Sequence, residues 1–328
     1  MFTTSCGDES QSTATGSLSV LLTTEDVITN GLRPGDDPGQ IQDGWSVTFD
    51  RYIVAIGDID LRFTTNASQT KEEESTYMVD LTKVSEVGLP LWSFDSLKAG
   101  RWEFGYHTVL AEESTLQHES VMLADYERII AERWTYYIEG VLANENGQSC
   151  PPAELAMPGD NPPNGQTSGG NDCYDLSELR FSFGAPAETR FGPCEIDGVP
   201  GVAITSDQTR TASVTIHGDH LFFNGFPEGD EGGVARLAQW LADCDLNLDG
   251  EVTQEELQAI DPSLLSEFDD RFQLGGSPIT PLNSVYEYLR AQLKTQGHFQ
   301  GEGECAVDGA LHDHEEGDHE EGDHKEGQ

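Results

Sequence analysis

Asp245, Asn247, Asp249, Gly250 and Glu256 lie in the twelve-residue run 245–256, with two carboxylates and one amide on alternate positions and a glutamate at its end. That spacing suits a hard divalent cation. Ca2+ takes six to eight oxygens at about 2.3–2.6 Å, and a tight loop turns the oxygens of alternate residues to one side. Asp245, Asn247 and Asp249 would supply side-chain oxygens, and Glu251 its backbone carbonyl. Thr253 would bind through water or cap the following helix, and Glu256 would close the shell with both carboxylate oxygens. Gly250 allows the sharp turn between them.

A softer chemistry is offered by histidine. His217-Gly-Asp-His220 places two imidazoles three residues apart at the end of an apolar run. Two such rings can ligate Zn2+ or Cu2+, with His107 and His298 as available further ligands. The competing expectation is a pair of strand-end histidines hydrogen-bonded to backbone. Four more, His312, His314, His319 and His324, alternate with carboxylates near the C-terminus and suit weak Zn, Ni or Cu binding. There is no G-x-S-x-G, no glycine-rich dinucleotide motif, no P-loop and no H-E-x-x-H, so no catalytic residue and no organic cofactor site is singled out.

These residues need elements to hold them. The pattern of Val234, Leu237, Trp240 and Leu241 predicts a helix over 234–243 leading into the acidic loop. Thr253 with Glu256 three residues later predicts a capping box at the start of the exit helix. With its flanks, the loop resembles the EF-hand family over about 25 residues. Dockerin modules share the loop but carry it twice and lack a proper entering helix. The resemblance implies Ca2+ bound by Asp245, Asn247, Asp249, Glu251, Thr253 and Glu256, and a partner hand. No second loop fits. A degenerate echo is expected instead: a helix over 262–270, a loop over 273–279, and a helix over 280–296 begun by Thr280-Pro281, with Ile279 pairing against Val252.

Most of the rest reads as strand. Ile53, Ala55, Gly57, Ile59, Leu61 and Phe63 alternate with polar residues, the mark of a half-buried strand. Further strands are expected at 18–22, 77–81, 102–110, 135–142, 179–183, 202–205 and 212–217, and an amphipathic helix at 122–133. The expected fold class is α+β: an antiparallel β-sandwich body over 17–231, with a long loop at 143–175, then an EF-hand pair over 232–304. A flexible tether over 1–16 and an acidic, histidine-bearing tail over 305–328 flank them; the tail holds nine acidic residues against one lysine. Six cysteines without a CxxC pair suggest an exported, oxidised chain. The simplest pairing joins Cys150 to Cys173 and Cys244 to Cys305, leaving Cys194 over. The first residues resemble the lipidation site of bacterial lipoproteins, with Ser5 before Cys6 and a polar stretch after it, but Thr3 stands where that pattern has an aliphatic residue.

The 328 residues carry 60 Asp and Glu against 17 Lys and Arg, a formal charge of −43. Such a polyanion repels nucleic acid and anionic lipid headgroups, and it favours cations. A periplasmic, cell-surface or extracellular calcium-binding protein is therefore expected, with Ca2+ as a structural clip, no enzyme activity implied, an unknown protein or surface as partner, and a lipid on Cys6 as its only link to a membrane. Two alternatives stand beside it: a transition-metal (Zn, Cu or Ni) binding or carrier protein, and a hydrolase with structural calcium.

Overall fold

The computed structural model describes residues 14–85, 87–157, 173–226, 234–265, 268 and 271–308. Cys6, most of the tether and the four tail histidines lie outside the described residues.

The alternating pattern makes the spine of the larger of two main sheets. Ser46–Phe63 is one strand, and over its middle, residues 52–57, it is buried on both faces. Tyr52, Val54 and Ile56 point into the main core, whereas Ile53 and Ala55 point into a smaller cluster with Met78, Val121, Ile129 and Trp134. The expectation that Ile53 through Phe63 share one face is corrected here. A bulge between Gly57 and Asp60, with Asp58 at φ 49°, inserts one extra residue and reverses the parity. Ile59, Leu61 and Phe63 thereby join Val54 and Ile56 in the main core. The helix Leu123–Glu132 covers the smaller cluster, burying Ile129 but leaving Leu123 exposed.

The large sheet runs Val199–Pro200, Thr189–Ile196, Gly100–Thr108, Ser46–Phe63, Tyr136–Ala143, Glu178–Ala185 and Glu251–Thr253, with short strands added at its margins. The smaller sheet orders Gly297–Phe299, Thr209–Ile216, Thr15–Thr24 and Leu89–Lys98. Leu18, Val20 and Leu22 from the smaller sheet and Phe104, Tyr106 and Phe191 from the larger belong to one apolar cluster. The fold is thus β-rich α+β. The pairing is not antiparallel throughout: Thr15–Thr24 lies parallel to Thr209–Ile216, and Glu251–Thr253 parallel to Glu178–Ala185. Thr189–Ile196 and Leu89–Lys98 are strands that the sequence pattern did not single out; Pro90 and Pro193 interrupt their apolar alternation.

The helical stretch shares the core of the sheets. Trp240, Leu257 and Tyr288 are buried in the same cluster as the sheet residues. The expected entering helix over 234–243 shrinks to the single turn Gln239–Ala242, because the carbonyls of Ala235 and Arg236, which would begin its hydrogen-bond ladder, accept from the N–H groups of Asn224 and Gln42 instead. The capping box at Thr253 is present, opening Gln254–Ala259. The echo differs from expectation. Pro262–Leu264 is a 3-10 turn, the last helix is Val285–Leu293 capped by Ser284, and Thr280–Pro281 is a cis peptide outside it. Val252 pairs with Phe181 and not with Ile279, since the edge of the large sheet has already taken its backbone groups.

Cys150 is bonded to Cys173, as the loop between them predicts. The second pairing is corrected: Cys194 is joined to Cys305, directly across a strand pair, while Cys244 is buried and reduced. Two disulfides fit an oxidising compartment. No helix among the described residues is long and apolar enough to cross a membrane.

Candidate metal centre

The acidic loop is held by its own backbone. Asp245 is buried and accepts N–H bonds from Asp249 at 3.1 Å and Gly250 at 2.9 Å. Gly250 has φ +84°, the left-handed turn that the spacing predicted. Asn247 accepts from the Asp249 N–H, and Asp249 from the Glu251 N–H, each at 2.9 Å. Glu256 folds back over the loop, accepting from the N–H of Leu246 at 3.0 Å and of Thr253 at 2.8 Å. Burial, with the Glu256 and Asp249 carboxylates close by, pushes the Asp245 carboxyl up to about 6. The loop is therefore a preformed cradle of crowded oxygens, docked through Asp243, which accepts the Cys150 N–H at 2.8 Å.

The histidines converge more tightly. His217 follows the strand Thr209–Ile216 and leads into the 3-10 turn Gly218–Phe222, which carries His220. His217 caps this turn in an extended conformation, which leaves its ring near that of His220. His298 comes from 78 positions further along the chain than His220 but sits in the adjacent strand, opposite Thr215. In an antiparallel pair the residue two along from the opposite one is the diagonal neighbour on the same face. His217 is that residue. Its ring stacks on His298 with centroids 3.9 Å apart, and His220 stands nearly perpendicular to both, 5.7 Å and 5.2 Å away. One ligand nitrogen from each ring lies within 4.8 Å of the other two. Tetrahedral bonds of about 2.0–2.1 Å imply about 3.4 Å between nitrogens, so the three rings would have to draw in by about 1 Å to share one ion.

The surroundings hold each of these rings in place. His217 Nε2 lies 3.2 Å from the Gly301 carbonyl, and His220 Nδ1 lies 3.0 Å from Thr295 Oγ1. Burial and the two neighbouring imidazoles push His298 down to about 2. Behind His217, Glu25 and Asp219 bring carboxylate oxygens within 4.8 Å of a His217 nitrogen and of each other. Burial raises the Asp219 carboxyl, but His220 and Arg236 outweigh it and hold it below its ordinary range. Arg236 donates to Asp219 through Nε at 2.6 Å and also through Nη2. Carboxylates placed behind a ligating imidazole orient the ring and raise its basicity.

Not every candidate joins this group. His107 sits on Gly100–Thr108, where its Nε2 is 3.4 Å from an Asp60 carboxylate oxygen, and Asp60 also accepts from Arg190. His312, His314, His319 and His324 lie outside the described residues. Asp219 stood between the paired histidines in the sequence. Two contributors escaped the sequence reading: Glu25 and Arg236 had no signal, because the parallel pairing that brings Glu25 beside Ile216 and the loop that carries Arg236 are long-range events.

No family model, no curated protein and no solved structure matches this chain. What the centre can do rests on its own atoms: three imidazoles, two carboxylates behind one of them, and an arginine that balances one carboxylate.

Proposed function

We propose that the protein is an exported metal-binding protein whose principal centre holds one transition-metal ion, Zn2+ or Cu2+, on His217, His220 and His298. The observation that carries this reading is the convergence of three buried or half-buried imidazoles from a strand end, a turn and a neighbouring strand. Imidazole suits Zn2+ and Cu2+, and the surrounding carboxylates favour a dication. A chain with two disulfides and a charge of −43 belongs in a salty, oxidising setting such as the periplasm or cell surface, with a lipid on Cys6 as tether.

The loop over 245–256 supports a second, structural ion. Its spacing and its crowded oxygens favour Ca2+, held EF-hand fashion and acting as a clip between the Cys150–Cys173 loop and the edge of the large sheet. A docked strand takes the place of a partner hand.

Calorimetric titration of the full chain with Zn2+ tests the principal reading. One tight equivalent should survive deletion of residues 309–328 and Glu256→Gln, and should be lost in His298→Gln. Tight uptake that vanishes with the tail and is indifferent to His298→Gln would move the function to the tail.

A further inference from the structure

A cavity of about 580 Å3 opens against the histidine cluster, and His220 and His298 line it while His217 does not. Phe226, Pro193, Pro278 and Val307 supply its apolar walls. Glu195 and Glu304, cross-strand neighbours and both exposed, stand at its margin. Among the described residues lining it there is no further histidine, and its one cysteine, Cys305, is bound to Cys194. The carboxylates that adjoin the cluster, Glu25 and Asp219, stand by His217, away from the cavity, and Arg236 already holds Asp219. An ion on the three rings thus finds protein ligands on one side and a cleft on the other. Structural zinc sites are closed by four protein ligands; sites with three keep a position for an outside ligand.

Resting on the metal reading above, we propose that the ion keeps an exchangeable coordination position facing this cleft, and that the position takes a neutral nitrogen donor with an apolar body. The cleft has the size and the mainly apolar lining of a small-molecule site. Its charge selects against anions, because Glu195 and Glu304 flank it on a chain of charge −43. The apolar part of the ligand would lie against Phe226, Pro278 and Val307. Nothing in this requires a bond to be made or broken beyond the exchange of water for the donor.

Co2+ replaces Zn2+ and reports its shell through visible absorption. The full chain loaded with one equivalent should show the intense bands of a tetrahedral ion, absent from His298→Gln. Imidazole, 4-phenylimidazole and azide are then titrated in. Both imidazoles should shift the bands saturably, 4-phenylimidazole about ten-fold more tightly for its buried ring, and azide more weakly than either. Phe226→Ala should cut the preference for the phenyl compound several-fold with Co2+ uptake unchanged. A tetrahedral spectrum that none of the three compounds alters would overturn the open position while leaving the metal centre standing. Equal affinity for imidazole and 4-phenylimidazole, or tighter azide, would overturn the assignment of the cleft and its ligand. Absence of any His298-dependent spectrum would overturn the metal reading and this inference with it.

Discussion

His298 stands diagonally across a strand pair from His217, and the two rings stack with centroids 3.9 Å apart. The contact is a consequence of register. Thr215 faces His298, Ile216 faces Gly297, and the chain turns at Gly218 immediately beyond His217. A slip of one residue would put His298 on the opposite face and dissolve the cluster.

Register gives the first prediction. Gly297 packs so closely that an added Cβ would lie 2.5 Å from Tyr106 Oη and 2.6 Å from the Phe191 ring. Both belong to the large sheet, and Tyr106 also donates to the His298 carbonyl at 3.1 Å. Gly297→Ala should therefore cost about 1–3 kcal/mol by overpacking. It should also weaken Zn2+ uptake by displacing His298. Chemical denaturation and zinc titration check the two effects; an unchanged midpoint would mean that the strand yields freely.

Acid should destabilise the metal-free protein. His298 is held at about 2 against an ordinary 6.5, by burial first and then by His217 and His220. Below 6.5 the unfolded chain takes up a proton that the folded ring refuses. The stability that the neutral ring contributes is fully present above 6.5 and is lost as the pH falls towards 2. The loss is on the order of 1.4 kcal/mol per pH unit for one proton. His217, His220, Glu25 and Asp219 also face this ring or its neighbours. Denaturation curves at pH 7.5 and 5.5, in wild type and His298→Gln, check it: the variant should lose part of the slope.

Calcium should stabilise the chain. Burial and its acidic neighbours move the Asp245 carboxyl from 3.8 to about 6, which costs on the order of 3 kcal/mol at neutral pH. A bound dication removes that cost. Ca2+ at a hundred times its dissociation constant should add about 2.7 kcal/mol, and excess EDTA should take it away. Glu256→Gln should abolish the response in thermal unfolding. A melting temperature indifferent to both EDTA and Ca2+ would remove the clip.

The covalent link between Cys194 and Cys305 closes a span of 111 residues. Replacing both with serine should cost about 2–4 kcal/mol, chiefly by freeing the unfolded chain. The native strand pair Glu195–Glu304 should also loosen, and with it the wall of the cleft. Hydrogen exchange of Ala306 and Val307 measures the second effect.

How far the sequence carries the reader depends on range. The acidic loop is local: its spacing, the glycine turn and the Thr253–Glu256 capping box all follow from residues within twelve positions. The histidine pair was visible for the same reason. The entering helix failed because Gln42, 194 positions away, donates to the Arg236 carbonyl that the helix would have used. The partner for Val252 failed similarly: alternation marks a strand but does not name its neighbour, and Phe181 is 71 positions away. The bulge at Asp58 was invisible to a strict period of two, so one strand that feeds two cores read as a strand with one buried face. Cys194 was misassigned because only the pairing of Thr189–Ile196 with Glu304–Val307 sets it opposite Cys305.

The strand Gly297–Phe299 comes from the last part of the described chain, yet it supplies the third imidazole and the edge of the small sheet. Removing residues 297–299 would take away one of the three rings and leave Thr209–Ile216 as the bare edge of the small sheet, so loss of the cluster and fraying of that edge should appear together.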